Sequence, residues 1–96
     1  MQNPEYTASR INAALAARDP RVSVAWSYGV DGGSDPVGFD VFLEDDETPF
    51  TVEDRGGRLI IEEAGINGFL AAYSPYDKVA KALIEFIQSW TKEKGI

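Results

Sequence analysis

Between Val22 and Asp54 the chain carries nine carboxylates and no lysine or arginine. They are Asp31 and Asp35, then Asp40, then the run Glu44-Asp45-Asp46-Glu47, and finally Glu53 and Asp54. Carboxylates in such a stretch admit three kinds of chemistry. Two in one site can act as general acid and base, provided burial or a close partner moves a pKa. A convergent set can hold a divalent cation. An uncompensated strip can meet a positively charged partner, with charge setting the encounter rate and salt weakening it.

The rest of the composition narrows this choice. There is no histidine and no cysteine. The commonest general base, the commonest metal ligand, the thiolate nucleophile and the disulfide are therefore all missing. Ser74 has no basic residue placed to activate it and reads better as a helix cap than as a nucleophile. The Asp31 to Asp35 segment lacks the ligand spacing and closing glutamate of a helix–loop–helix calcium loop. The single Arg55-Gly56-Gly57-Arg58 turn lacks the surroundings of a phosphate-binding loop and reads as a hairpin connection. No catalytic residue, metal site or cofactor is expected. The net charge of −7 argues against nucleic acid and anionic membrane as direct partners. Without a basic-then-apolar leader pattern or a long apolar run, a cytoplasmic protein is expected.

The elements that position the carboxylates follow from periodicity. Asn3-Pro4 opens a helix to about Ala17, with Tyr6, Ile11, Ala14 and Leu15 as a thin apolar stripe and Pro20 ending it. This helix is expected to cover the core or to meet a second subunit. From Arg21 to Val30 the period changes to two. Val22, Val24, Trp26, Tyr28 and Val30 share one strand face, which assigns Trp26 and Tyr28 to the core. Asp31 to Pro36 is a turn, and Val37 to Leu43 a second strand. Glu44 to Glu47 forms the next tip, Phe50 and Val52 mark a short third strand, and Arg58 to Glu63 is a fourth. A turn at Gly65 to Gly68 leads to a fifth candidate, Phe69 to Tyr73. The final helix starts at Ser74-Pro75 and runs to Lys94, with Val79, Leu83, Phe86, Ile87 and Trp90 on one side.

The expected fold is α+β, a single domain over residues 1–96. It has an N-terminal helix, an antiparallel meander of four to five strands, and a C-terminal amphipathic helix packed on the face carrying Val22, Val24, Trp26, Val41, Leu43 and Leu59. Phe42, Ile60 and Leu70 fall on the nominally polar face, which implies a register slip or a sheet covered on both sides, and so a possible homodimer. The function expected is a small non-enzymatic interaction domain, an antagonist or immunity-type protein by analogy of size and charge. It would dock a basic protein through Asp40, Glu44, Asp45, Asp46 and Glu47. The alternative is a small-ligand or accessory domain with an apolar site between sheet and terminal helix, touching Trp26, Tyr28 and Trp90. An exposed Trp26 would instead be a first binding anchor.

Overall fold

The computed structural model describes residues 4–29, 37–55, 58–65, 71–73 and 76–95. In chain order they form α1 (Pro4–Ala16), β1 (Val22–Tyr28), β2 (Val37–Leu43), β3 (Asp46–Arg55), β4 (Arg58–Glu63), β5 (Ala71–Tyr73) and α2 (Tyr76–Lys94). The strands make one sheet in the order β1-β2-β3-β4-β5, every neighbouring pair antiparallel. The expected α+β meander between two helices is the fold observed. The expected turns at Asp31 to Pro36 and Ile66 to Gly68, the cap at Ser74-Pro75, and Leu70 lie outside the described residues.

Both helices use the same face of the sheet. Ile11 and Leu15 of α1 and Val79, Leu83 and Ile87 of α2 share one buried cluster with Val24, Phe39, Val41, Val52, Leu59 and Ile61. Arg10 of α1 lies 5.6 Å from the ring centroid of Tyr76 of α2, a cation–π contact where the helices meet. Phe50 joins α2 to the sheet, stacking on Phe86 at 6.1 Å and meeting Trp90 edge-on at 6.4 Å. Each fully buried aliphatic side chain contributes roughly 1.5–3 kcal/mol before entropy is subtracted. The short α1 is therefore held by tertiary burial more than by its own propensity.

α1 keeps the expected stripe at Ile11 and Leu15, with Ala14 partly buried against the core, and departs from it at Tyr6. Its buried residues are Pro4, Thr7, Ile11 and Leu15, at steps of three and four, while Tyr6 is 58% exposed. A tyrosine one position off a helical stripe looks like a member of it in sequence, and the smaller Thr7 is what the core accepts. α1 is thus a core helix of its own chain, and its apolar stripe is used up there.

Asn12 explains how α1 meets the outermost strand. Its side-chain Nδ2 donates to the Val24 carbonyl at 3.0 Å, and its Oδ1 accepts from the Val24 amide at 2.7 Å. One side-chain amide thus imitates a neighbouring strand at this point of β1. An unpaired edge is a template for a second chain, and α1 closes part of it.

Two irregularities shape the sheet. The β2–β3 register shifts between Asp40 and Phe42, so that Thr48, Pro49 and Phe50 lie opposite Val41. Thr48 Oγ1 donates to the Val41 carbonyl at 2.9 Å and accepts from the Phe50 amide at 3.2 Å. A buried hydroxyl so repairs the ladder beside a proline that has no donor. Through this bulge β3 runs on to ten residues, the longest strand rather than a short one. The β1–β2 register shifts between Trp26 and Tyr28, with consequences for the site.

Removing the Asn12 amide leaves Val24 unpaired at the edge. Asn12→Ala is expected to lower stability by about 1–2 kcal/mol, the worth of two hydrogen bonds, and to increase self-association by strand pairing. Urea unfolding with light scattering checks both; an unchanged midpoint would show that water replaces Asn12 without cost.

Candidate functional site

Strand alternation sorts the candidate residues onto two faces. Cross-strand partners give the rows: Trp26, Phe39, Val52 and Ile61 lie together on the helix side. Phe39, Val52 and Ile61 are fully covered, but Trp26 on the outer strand is 45% exposed. Its indole Nε1 donates to the Tyr28 carbonyl at 3.0 Å. The expectation that Trp26 belongs to the core is therefore corrected: it has the right row, but the helices do not reach over the edge strand there.

Tyr28 is corrected for a different reason. After the register shift it pairs with Gly38, whose row continues through Glu53 to Ile60 on the face away from the helices. One extra residue in a strand turns every later side chain over. The Tyr28 ring lies across Gly38, where any side chain would overlap its Cε1 and Cζ atoms. Tyr28 then donates its hydroxyl to Glu53 Oε2 at 2.7 Å. Arg55 Nε donates to Glu53 Oε1.

Glu53 is 7% exposed and is the one buried carboxylate among the described residues. Burial pushes its carboxyl up, but the hydrogen bonds from Tyr28 and Arg55 and the Arg55 charge together hold it below its ordinary value. Burial and then the Glu53 hydrogen bond push the Tyr28 phenol upward, so it stays a donor. Both Glu53 oxygens are occupied. A general acid–base pair would need a second carboxylate buried beside it, and none stands there among the described residues.

The same face carries Ser23, Phe42 and Glu47 in one row and Ala25, Asp40, Thr51 and Glu62 in the next. Neither helix covers it. The half-buried Phe42 and Ile60 are members of this open face, so the face arises without a slip of their register and, among the described residues, without a second layer. Arg55 and Arg58 pair across the far hairpin and supply cations at that end.

The run from Glu44 to Glu47 is split by the hairpin. Only Glu44 and Asp45 form the turn, with φ of 51° and 74°, while Leu43 pairs with Asp46 and Phe42 with Glu47 at the strand ends. This is the geometry of a two-residue turn with both φ positive, which favours Asn-Gly. A glutamate and an aspartate there strain the backbone by about 1 kcal/mol each. Asp46 shares a row with Leu43 and Val22 on the helix side, whereas Glu47 joins Asp40 on the open face.

Glu44 and Asp46 stand at the rim of a 250 Å³ cleft between the sheet and the last turns of α2. Val22, Leu43, Ile84, Ile87 and Trp90 make its apolar lining. Asp19 and Arg21 close one side, joined by two hydrogen bonds of 3.0 and 2.9 Å. The Arg21 guanidinium holds the Asp19 carboxyl below its ordinary value. Arg21 reaches Glu44 only at 4.0 Å. Of the three aromatics expected around an apolar site, Trp90 alone lines this cleft; Trp26 and Tyr28 are elsewhere.

Among the described residues no cation lies within 4.0 Å of Asp40, Asp45, Asp46 or Glu47. No three carboxylates there converge as a metal site, and no helix is long and apolar enough to cross a membrane. The Asp31 and Asp35 positions lie outside the described residues. The chain matches no protein-family model, no curated protein and no solved structure.

The Tyr28–Glu53 bond has a sequence signal that period counting passes over: glycine inside a strand marks a bulge or a close approach, and Gly38 is that residue. Its test is acid titration. Glu53 has a folded pKa below its unfolded one, so its contribution is complete above the unfolded value and is lost as pH falls through the folded value. Tyr28→Phe should raise the Glu53 midpoint, read by carboxyl carbon NMR, and lower stability at neutral pH, with the gap closing in acid. An unmoved midpoint would show that Arg55 alone sets it.

Proposed function

We propose that the protein is a small non-enzymatic interaction domain that docks a basic protein through the β2–β3 hairpin and the adjoining open face. Asp40, Glu44, Asp45, Asp46 and Glu47 carry the charge. The observation behind this reading is the lack of internal compensation. Asp40, Asp45, Asp46 and Glu47 have no cation within 4.0 Å among the described residues, and Glu44 has only Arg21, already bound by Asp19. Glu44, Asp45, Asp46 and Glu47 are exposed and Asp40 is half-buried; charges left unpaired at the surface cost the fold little and remain available for a partner.

Two further features support it. Glu44 and Asp45 occupy a strained turn where Asn-Gly would relax the backbone, which is a cost in stability at the point of highest charge. Trp26, exposed at the sheet edge, is of the type that anchors interfaces. Self-association through the acidic face would bring like charges together, so a basic partner is preferred to a second copy. The proposal places the pair in the cytoplasm.

The second reading, a small-ligand domain, draws on the cleft beside Trp90. At 250 Å³ that cleft is smaller than the usual pocket for a drug-sized molecule, about 300–1,000 Å³, and so favours a side chain or fragment.

Capture from the source cells tests the first reading. A basic protein is expected to be retained by the wild type, released by salt, and lost with the double variant Glu44→Lys/Asp46→Lys. A partner that survives both salt and charge reversal would contradict it. A companion variant, Glu44→Asn/Asp45→Gly, is expected to raise stability by about 1–2 kcal/mol while weakening the same interaction. Thermal unfolding and the retained fraction report the two effects separately.

A further inference from the structure

We infer that the cleft between the β1–β2 strand ends and α2 seats a single lysine or arginine side chain of the docking protein, its stem on Leu43, Ile87 and Trp90 and its cation at Glu44 and Asp46. This rests on the docking reading above and gives it a specific anchor. Three observations converge on it. The lining is apolar where a four-carbon stem would lie, and long cationic side chains bury such stems while keeping the charged head in water. The rim carries three carboxylates, Asp19, Glu44 and Asp46, against one cation, Arg21. Arg21 is held by Asp19 through two bonds and reaches Glu44 only at 4.0 Å, so Glu44 is weakly compensated and Asp46 has no cation within 4.0 Å among the described residues. Trp90 adds an indole wall, the best aromatic partner for a cation.

The size of the cleft decides between occupants. A volume of 250 Å³ admits one long side chain but is small for a folded element or an aromatic cofactor. Negative charge at the rim rejects an acidic side chain. An apolar side chain would fill the floor yet leave Glu44 and Asp46 unused. Only a long cation satisfies both layers. The alternation of β3 makes this possible: Asp46 turns toward α2 while its neighbour Glu47 turns to the open face, so one hairpin offers both an anchor site and a broader negative strip.

Tetralysine, blocked at both ends, is the probe, titrated into the isotope-labelled full chain at low salt and followed by NMR. Seating in the cleft is expected to move the Trp90 indole signal and the amides of Leu43 and Ile84. The tetraornithine counterpart, with equal charge and one methylene less in each stem, is expected to bind about fourfold more weakly for one seated residue. Gln88→Trp, at an exposed position on the cleft wall, fills the space and keeps every charge. It should weaken tetralysine roughly tenfold.

Equal binding of lysine and ornithine peptides, together with an unaffected Gln88→Trp variant, would overturn the cleft as anchor. If Glu44→Lys/Asp46→Lys still abolished that binding, the docking reading itself would stand. Spermidine binding the cleft as tightly as tetralysine would reassign it to small amines and overturn the protein anchor. No binding to the wild type at low salt would remove both readings.

Discussion

A strand offers its side chains to two faces in turn, and in this chain both helices occupy one of them. Ile11, Leu15, Val79, Leu83 and Ile87 meet the sheet on the same side, and the other side is left with Ser23, Ala25, Asp40, Glu47 and Glu62 facing outward. That one-sidedness governs the rest. It divides the acidic hairpin into residues that look toward α2 and residues that look away. It gives the single-residue shift in β1 its effect, since turning over moves Tyr28 from a covered face to an open one.

The polar side chains embedded in this framework are few, and apart from the buried Thr7 hydroxyl, which has no hydrogen-bond partner among the described residues, they are specifically satisfied. Asn12 matches both backbone groups of Val24, and Thr48 bridges the bulge at Val41. Glu53 is the most demanding case, because an ion taken from water is tolerated only when its oxygens find donors. Tyr28 and Arg55 provide them, and Gly38 makes room for the ring that brings the Tyr28 hydroxyl there. The open face is thereby held in a defined shape at one end, while the carboxylates at the β2–β3 end stay exposed. Rigidity at one end and unspent charge at the other suit a docking surface better than a reaction centre, where shifted and available groups would be brought together.

Much of the architecture was legible from periodicity. Val22 and Val24, Phe39 and Val41, Leu59 and Ile61 alternate as buried strand residues should, and α2 repeats at helical spacing from Val79 to Ile87. What escaped the pattern has physical causes. A two-residue period continues through Trp26 and Tyr28 in sequence, but it carries no information about a bulge, or about where a covering helix stops. Tyr6 and Thr7 are adjacent, and hydrophobicity alone chooses the larger residue although the core takes the smaller. Glu44 to Glu47 reads as one charged tip because sequence order does not show that a two-residue turn with positive φ sends Asp46 and Glu47 to opposite faces. Asn12 and the cleft beside Trp90 depend on contacts between elements distant in the chain, for which no local signal exists.

The most direct measurement of this arrangement is the set of nuclear Overhauser contacts made by the Tyr28 ring. The ring protons should show strong contacts to the Gly38 α-protons and further contacts to the Glu53 side chain, with none to the methyl groups of α2. Contacts from Tyr28 to Leu83 or Ile87 would place its ring on the covered face, and the shifted strand, the satisfied Glu53 and the open acidic surface would fall together.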